Sequence, residues 1–180
     1  MIAIVLLILA LLVCPAAAPA GEAEARVAER TLPYGVIDPA LLPIGYSGRE
    51  VLQYDVSWTG GIKIGELRLE VNALPEDEES FEIRATVTTK NGAVDLIYPI
   101  KDLHVTRVRG PKRLPYHYEI WQKEGFNYRA HRVLEYNQEG GKIVYMKNNK
   151  LEGVFDIDGE TNNEFSSFFN SRLMESLRTR

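Results

Sequence analysis

The stretch from Glu50 to Val71 constrains the fold more than any other part of this sequence, because its pattern predicts two β-strands joined by a tight turn. Apolar and polar residues alternate along the first arm with a period of two, which is typical of a strand with one buried side. Gly60-Gly61 then supplies residues that adopt positive φ at little cost, as two-residue hairpin turns require. The apolar side of the first arm consists of Leu52, Tyr54, Val56 and Trp58, and its polar side of Gln53, Asp55 and Ser57.

The turn also determines which residues of the two arms face each other. With a two-residue Gly-Gly turn, Thr59 faces Ile62 and Tyr54 faces Leu67. Slipping the pairing by one residue would set the apolar side of the first arm against charged residues of the second. The hydrophobic pattern and the turn therefore predict the same register.

Gly65 interrupts the second arm of this hairpin. In the predicted register it faces Val56, and the apolar side of the arm changes phase around it. An isolated glycine within a strand often marks a bulge. We therefore expect a bulge or a sharp twist at this position.

Later segments repeat the period of two and predict further strands. Glycine-containing turns separate several of them, which favours hairpins over crossover connections. The sequence thus predicts a mainly β fold, an antiparallel meander of hairpins forming a curved sheet or a partial barrel. The predicted segments are 81–87, 103–108, 116–122, 126–136, 143–147 and 151–157.

Two of these segments flank residues 123–125, which we expect to form a three-residue loop with glycine at its left-handed position. That loop sets Glu119 opposite Arg129 and His117 opposite His131. One face of the pair is then apolar and the other polar, as expected for a half-buried antiparallel pair.

The hydrophobic period changes near the C-terminus. Thr161 is followed three residues later by Glu164, the spacing of a capping box at a helix N-terminus. Apolar residues then recur at helical spacing, which predicts one C-terminal amphipathic helix packed on the sheet. These apolar residues are Phe165, Phe168, Phe169, Leu173 and Leu177.

The first hairpin resembles the opening of an exported family, the domain-of-unknown-function family numbered 3108. The resemblance continues through Leu114-Pro115-Tyr116 to the segment 165–169 and Arg172. It implies a β protein of the periplasm or outer membrane without an assigned activity. Members of the family continue past the position of Arg172 with more strands, so the sequence is expected to be a short member or a fragment. The hairpin residues that carry the resemblance are Glu50, Leu52, Tyr54, Val56, Trp58, Gly61, Ile64 and Gly65.

Residues 1–20 carry no charged side chain and end in small residues, which predicts a secretory signal peptide cleaved after Ala20. The apolar run of residues 2–13 is shorter than the roughly 20 residues of a membrane-spanning helix, so we expect no permanent transmembrane helix. Cys14 is the only cysteine, and no intramolecular disulfide is therefore possible. We do not expect its lipidation, because Val13 stands where a lipoprotein signal has a small residue.

Residues 21–49 are rich in proline, glycine and charge, and predict a linker or an arm docked on the domain. We expect residues 50–180 to form a single β-rich domain. The family resemblance implies that further strands can follow at the C-terminus of such a domain. This length suffices for one modest hydrophobic core.

No catalytic or cofactor-binding motif emerges from the sequence. His117 and His131, predicted to face each other, lack the further ligands of a zinc site unless His104 or Glu119 completes it. The acidic turn 156–160 lacks the spacing of a calcium loop. Ser166-Ser167 lies inside the predicted helix without a nucleophile motif. We therefore expect a protein that is not an enzyme and that holds no metal or cofactor.

The charge of the chain disfavours nucleic acid as a partner. The formal net charge is −4 at pH 7, whereas binding to phosphates depends on clustered basic residues. The run 107–113 is locally basic, and we interpret it as a solvated turn that at most contacts anionic lipid head groups.

Two functions are compatible with this pattern. The first is a periplasmic binding or chaperone-like protein, whose curved sheet and helix enclose a lipid or another apolar envelope component. The second is an assembly or interaction module of the cell envelope that uses an exposed sheet edge. Aromatic side chains on an apolar sheet face also serve simply as core. The speculative ligand-binding residues of the first hypothesis are Tyr54, Trp58, Tyr118, Tyr128, Phe165, Phe168 and Phe169.

Overall fold

A computed structural model describes residues 37–58, 61–75, 77–90 and 92–174, except the side chain of Trp58. They form one antiparallel sheet in which each strand pairs with the next along the chain, so β1 and β8 are its edges. This confirms the predicted meander and curved sheet. The predicted signal peptide and Cys14 lie outside the described residues. The strands are β1 (Val51–Trp58), β2 (Ile62–Ala73), β3 (Phe81–Thr89), β4 (Lys101–Arg109), β5 (Leu114–Glu124), β6 (Tyr128–Asn137), β7 (Lys142–Lys147) and β8 (Lys150–Asp156).

Three short α-helices and one 3-10 helix (Pro39–Leu41) accompany the sheet in the described residues; the α-helices are α1 (Leu42–Gly45), α2 (Gly92–Ile97) and α3 (Glu164–Ser171). None of them has the length and apolarity that crossing a bilayer requires. α3 is the predicted C-terminal helix, although it ends at Ser171 and is shorter than the apolar pattern suggests.

The first hairpin has the predicted pairing over most of its length. Tyr54 faces Leu67 and Val56 faces Gly65, and beyond this point the register shifts. The expected bulge is therefore confirmed. A Cβ atom on Gly65 would lie 2.6 Å from the Thr88 carbonyl oxygen, so glycine lets β3 approach closely.

The pairing at the end of this hairpin was predicted incorrectly. Ile62 faces Trp58 and not Thr59, because the bulge on β2 takes up one residue. Gly61, which immediately precedes β2, has a φ of +80°.

The predicted pairing of β5 with β6 is also wrong. Glu119 faces Val133, and His117 faces Glu135 instead of His131. β5 continues through residue 124, because a bridge to Ile100 and a 2.8 Å hydrogen bond from the Lys123 amide to Asp102 hold its other side. The loop consequently falls on residues 125–127.

The cap of α3 differs from the predicted one. Asn163, not Thr161, is the N-cap, and its side chain accepts hydrogen bonds from the amides of Phe165 and Ser166. The same side chain donates to Thr106 Oγ1 on the sheet at 2.9 Å, while Thr161 bonds to Gln138. The helix therefore begins where a capping residue can also bond to the sheet.

The hydrophobic core lies between α3 and the sheet. We call the side of the sheet that faces α3 the helix face, and the opposite side the outer face. Residues 37–46, within the segment predicted as a linker or docked arm, also contact this core through Ile37, Leu41 and Leu42, and Tyr46 is buried in it. The remaining buried members are Leu69, Val71, Phe81, Ile83, Ala85, Val108, Phe169 and Leu173.

Candidate functional site

The part of the helix face that most resembles a ligand site is formed by the phenylalanines of α3 and their neighbours on β1. Phe169 is 1% exposed and belongs to the core, whereas Phe168, on the same helix, is 37% exposed. The Phe168 ring lies edge-on to Tyr54 at 6.3 Å, and Tyr54 is 42% exposed. Val56, two residues further along β1, is exposed as well. The core thus continues to the surface as an apolar patch, which we call the Tyr54 patch and define as Tyr54, Val56 and Phe168.

The other predicted lining residues occupy different positions. Phe165 lies edge-on to Tyr118, and Tyr118 is buried in a second, smaller core cluster. Tyr128 is exposed at the start of β6. The side chain of Trp58 lies outside the description. The predicted set is therefore divided between the Tyr54 patch, the core and a separate polar region.

A buried hydrogen-bonded network lies beside Phe165. The Tyr118 hydroxyl donates to Glu164 in the first turn of α3 and bonds to His104 Nδ1 at 2.7 Å. Because the Tyr118 proton goes to Glu164, His104 Nδ1 carries the hydrogen of its own bond. Burial lowers the pKa of His104, raises that of Tyr118 and, together with Glu164, raises the pKa of Tyr136 to about 12. Burial thus favours the neutral form of His104 against the charge of Glu164, and the network fixes α3 to β4 and β5.

Arg132 lies on the helix face beyond this network, and sequence reasoning missed it. It faces Ile120 on β5 and Lys147 on β7. Its Nη2 donates to the Tyr128 hydroxyl at 2.9 Å, whereas its buried Nε has no hydrogen-bond partner in the described structure. The signal was present in the sequence, because Arg132 interrupts the apolar side of β6 with a cation.

Gln122 lies next to this arginine on the helix face. Its Nε2 donates to Glu124, and its Oε1 is buried without a hydrogen-bond partner. Asp102, also on this face, is buried and accepts the hydrogen bond from the Lys123 amide. The helix face is therefore apolar near β1 and β2 but carries polar groups near β5 and β6.

The outer face carries the two histidines that were considered for metal binding. Glu119 contacts both, with Oε1 at 2.6 Å from His131 Nε2 and Oε2 at 3.5 Å from His117 Nε2. His117 also bonds to Glu135 at 2.8 Å, and the His131 ring stacks on Trp121. No group of three His, Cys, Asp or Glu residues suited to holding a metal ion occurs in the described part of the chain.

The acidic turn after β8 is likewise occupied by ion pairs. Asp156 bonds to Lys142 at 2.7 Å, and Glu160 bonds to Lys112 at 2.6 Å. These carboxylates form ion pairs between neighbouring segments of the chain, as the sequence interpretation of a simple turn suggests.

Most basic side chains of the run 107–113 interact with other groups of the protein. Arg107 pairs with Glu82 on the outer face. Arg113 is buried, lies over the rings of Tyr46 and Phe81, and donates from Nη1 to two backbone carbonyls. The run therefore contributes little free positive charge to the surface.

The β8 edge exposes apolar side chains. Leu151, Val154 and Phe155 are 67%, 52% and 55% exposed. β8 pairs only with β7, so the backbone groups on its other side have no strand partner within the described sheet.

Comparison with known proteins identified one family. The model of the family described as protein of unknown function (DUF3108) matches residues 53–178, which is well over half of the chain. The resemblance noted in the sequence is thereby confirmed. No curated protein and no solved structure matches the chain.

Proposed function

The chain belongs to the DUF3108 family, and on that premise we propose that it is a periplasmic protein that binds a lipid or another apolar component of the cell envelope. It acts by binding and does not catalyse a reaction. The ligand lies on the helix face, with its apolar part on the Tyr54 patch.

The observation that carries this proposal is the continuity between the core and an exposed aromatic pair. Phe169 is buried and its ring lies 5.4 Å from that of Phe168, which in turn contacts the exposed ring of Tyr54. Contiguous apolar residues at a protein surface mark sites for ligands or partners. Aromatic rings also bind apolar ligands at a low cost in conformational entropy, because they have only two side-chain torsions.

Native mass spectrometry of the full-length gene product, extracted gently from the cells that export it, tests this function. We expect a monomer with an additional lipid-sized mass that the Phe168→Ala variant loses. Phe126→Ala is the matched control, since Phe126 is also an exposed phenylalanine but lies in the loop between β5 and β6. A bare wild-type protein that also fails to bind a fluorescent apolar probe would contradict the proposal.

A second function is favoured by the β8 edge. An exposed edge with apolar side chains can accept a strand from another protein, a recognition mode that supplies backbone hydrogen bonds along the strand. In this alternative the chain is an envelope assembly module that docks an envelope partner, or a second copy of itself, on β8.

Introducing a lysine on each edge of the sheet in turn tests this assembly function separately from lipid binding. Val154→Lys should abolish chemical cross-linking to an envelope partner or to a second copy, because a charge on the edge opposes strand addition. Val51→Lys is the control on the opposite edge, where Val51 is also exposed. A wild-type protein that forms no cross-link in the envelope contradicts the assembly function.

A further inference from the structure

Arg132 belongs to a line of facing residues that crosses the whole helix face. The line begins with aliphatic residues on β1–β3 and ends with basic residues on β6–β8, so its two ends differ in polarity. Each member faces the next across neighbouring strands. In order, they are Leu52, Leu69, Ala85, His104, Ile120, Arg132, Lys147 and Lys150.

Most of the hydrogen-bonding capacity of Arg132 is unused by the protein. A guanidinium has five N–H donors, of which the described structure uses one, in the bond from Nη2 to the Tyr128 hydroxyl. Arg132 forms no ion pair with any described residue. Glu124, a nearby carboxylate, accepts instead from Gln122 and Tyr98. Buried donors such as Nε are normally paired, so this donor set suits an anionic ligand.

The neighbours of Arg132 add to its positive charge. Lys147 faces it directly, and like charges at directly opposed positions of a sheet destabilise each other. Lys150 follows across a turn in which Asn148 and Asn149 both have positive φ. An anion bound at this end of the line would offset the repulsion.

The distance from Arg132 to the Tyr54 patch suits a ligand with a long apolar part. Arg132 is on β6 and Tyr54 on β1, five strand spacings apart, or about 24 Å across the sheet. A ligand with its head group at Arg132 therefore needs a long acyl chain to reach Phe168, and this chain runs around α3, which covers the buried middle of the helix face. The polar and apolar ends of the helix face correspond to the two ends of one amphiphile.

We propose that the helix face selects an amphiphile with an anionic head group and that Arg132 binds this head group. The inference rests on the proposed binding function, and it specifies the class of ligand. A carboxylate or a phosphate ester supplies the same chemistry, since the guanidinium pairs with both through two parallel hydrogen bonds.

Calorimetric titration of the full-length protein with three probes of equal chain length tests the inference. The probes are palmitate, palmitoyl lysophosphatidate and the neutral monopalmitin, each below its critical micelle concentration. We expect the wild type to bind the two anionic probes at least about tenfold more tightly than the neutral one, as a charged hydrogen-bonded pair supplies. The tighter of the two anions identifies the carboxylate or the phosphate as the natural head group.

Two variants assign this preference to Arg132. Arg132→Met should bind the three probes with similar affinity, while Arg132→Lys should retain part of the preference through its charge. Arg129→Met is the matched control, because Arg129 is on the same strand but the outer face, where it faces Lys123. Thermal unfolding checks that each variant is folded.

The outcomes separate this inference from the proposed function. Equal binding of all three probes by the wild type overturns the anionic preference but leaves the binding function standing. A preference that survives in Arg132→Met overturns the role of Arg132. Failure of every probe to bind overturns the binding function, and this inference with it.

Discussion

Arg172 and Glu50 are joined by two parallel hydrogen bonds, from Nη1 to Oε2 at 3.1 Å and from Nη2 to Oε1 at 2.5 Å. The pair links the residue that follows α3 to the residue that precedes β1. The guanidinium also lies over the rings of Phe168 and Phe169. It therefore holds the C-terminal end of the helix beside the Tyr54 patch.

A double-mutant cycle measures this link. Replacing Arg172 and Glu50 by alanine, singly and together, should give a coupling free energy of about 0.5–1 kcal/mol, because the pair is bidentate but partly exposed to solvent. Urea unfolding is the measurement. The pair of Lys142 with Asp156, whose carboxylate side chain is 89% exposed, is the control and should couple more weakly. Equal coupling free energies in both pairs would show that the link between Arg172 and Glu50 stabilises the protein no more than an exposed ion pair does.

The two neighbouring phenylalanines of α3 should differ in their contribution to stability. Phe169→Ala removes a fully buried ring and is expected to cost about 3–5 kcal/mol in the free energy of unfolding. Phe168→Ala should cost only about 1 kcal/mol, because its ring is partly exposed and loses less buried area. Equal costs, measured by denaturant unfolding, would contradict the assignment of Phe169 to the core and Phe168 to the surface.

The cap of α3 gives a third prediction. Asn163→Ala removes two hydrogen bonds to helix amides and the bond to Thr106, and should lower the free energy of unfolding by about 1–2 kcal/mol. Thr161→Ala should be nearly neutral, because only the backbone of Thr161 bonds to Gln138. If the two variants ranked in the reverse order, the helix would begin at the position that the sequence motif suggests.

The stability of the domain should depend on pH through His104. Because burial lowers the pKa of this histidine in the folded state, the unfolded chain binds more protons below the unperturbed pKa of about 6.5. Stability attributable to His104 is therefore present above about pH 6.5 and is lost as the pH falls toward the folded pKa. His104→Gln should show a shallower loss of unfolding free energy than the wild type between about pH 6.5 and 5. Parallel profiles for the two proteins would rule out this contribution.

The sequence predicted the first hairpin better than the pairing of β5 with β6, and the physical reason is specific. In the first hairpin the apolar pattern excludes only slips by an odd number of residues, and the Gly-Gly turn selects one register among those that remain. For β5 and β6 the predicted and observed registers keep every side chain on the same face. The alternation of apolar and polar residues therefore cannot distinguish the two registers. The bridge to Ile100 and the hydrogen bond from Lys123 to Asp102, which depend on β4, decide the outcome.

The candidate site was predictable only in part. Helical spacing placed Phe165, Phe168 and Phe169 together, but it could not tell which ring is buried, since that depends on the docking of Tyr46 and Tyr54. The spacing of aromatic residues does not point to Arg132. A cation on the apolar side of a strand was the sequence signal for the polar end of the helix face.

The central claim, that the helix face binds an amphiphile, is tested most directly by NMR titration of the ¹⁵N-labelled full-length protein with palmitate. We predict that amide resonances shift around Tyr54, Arg132 and Phe168, at the two ends of the helix face. Amides around Val154 on the β8 edge and around Arg84 on the outer face should remain unchanged. Shifts confined to the β8 edge or the outer face, or no shifts at all, would contradict the account.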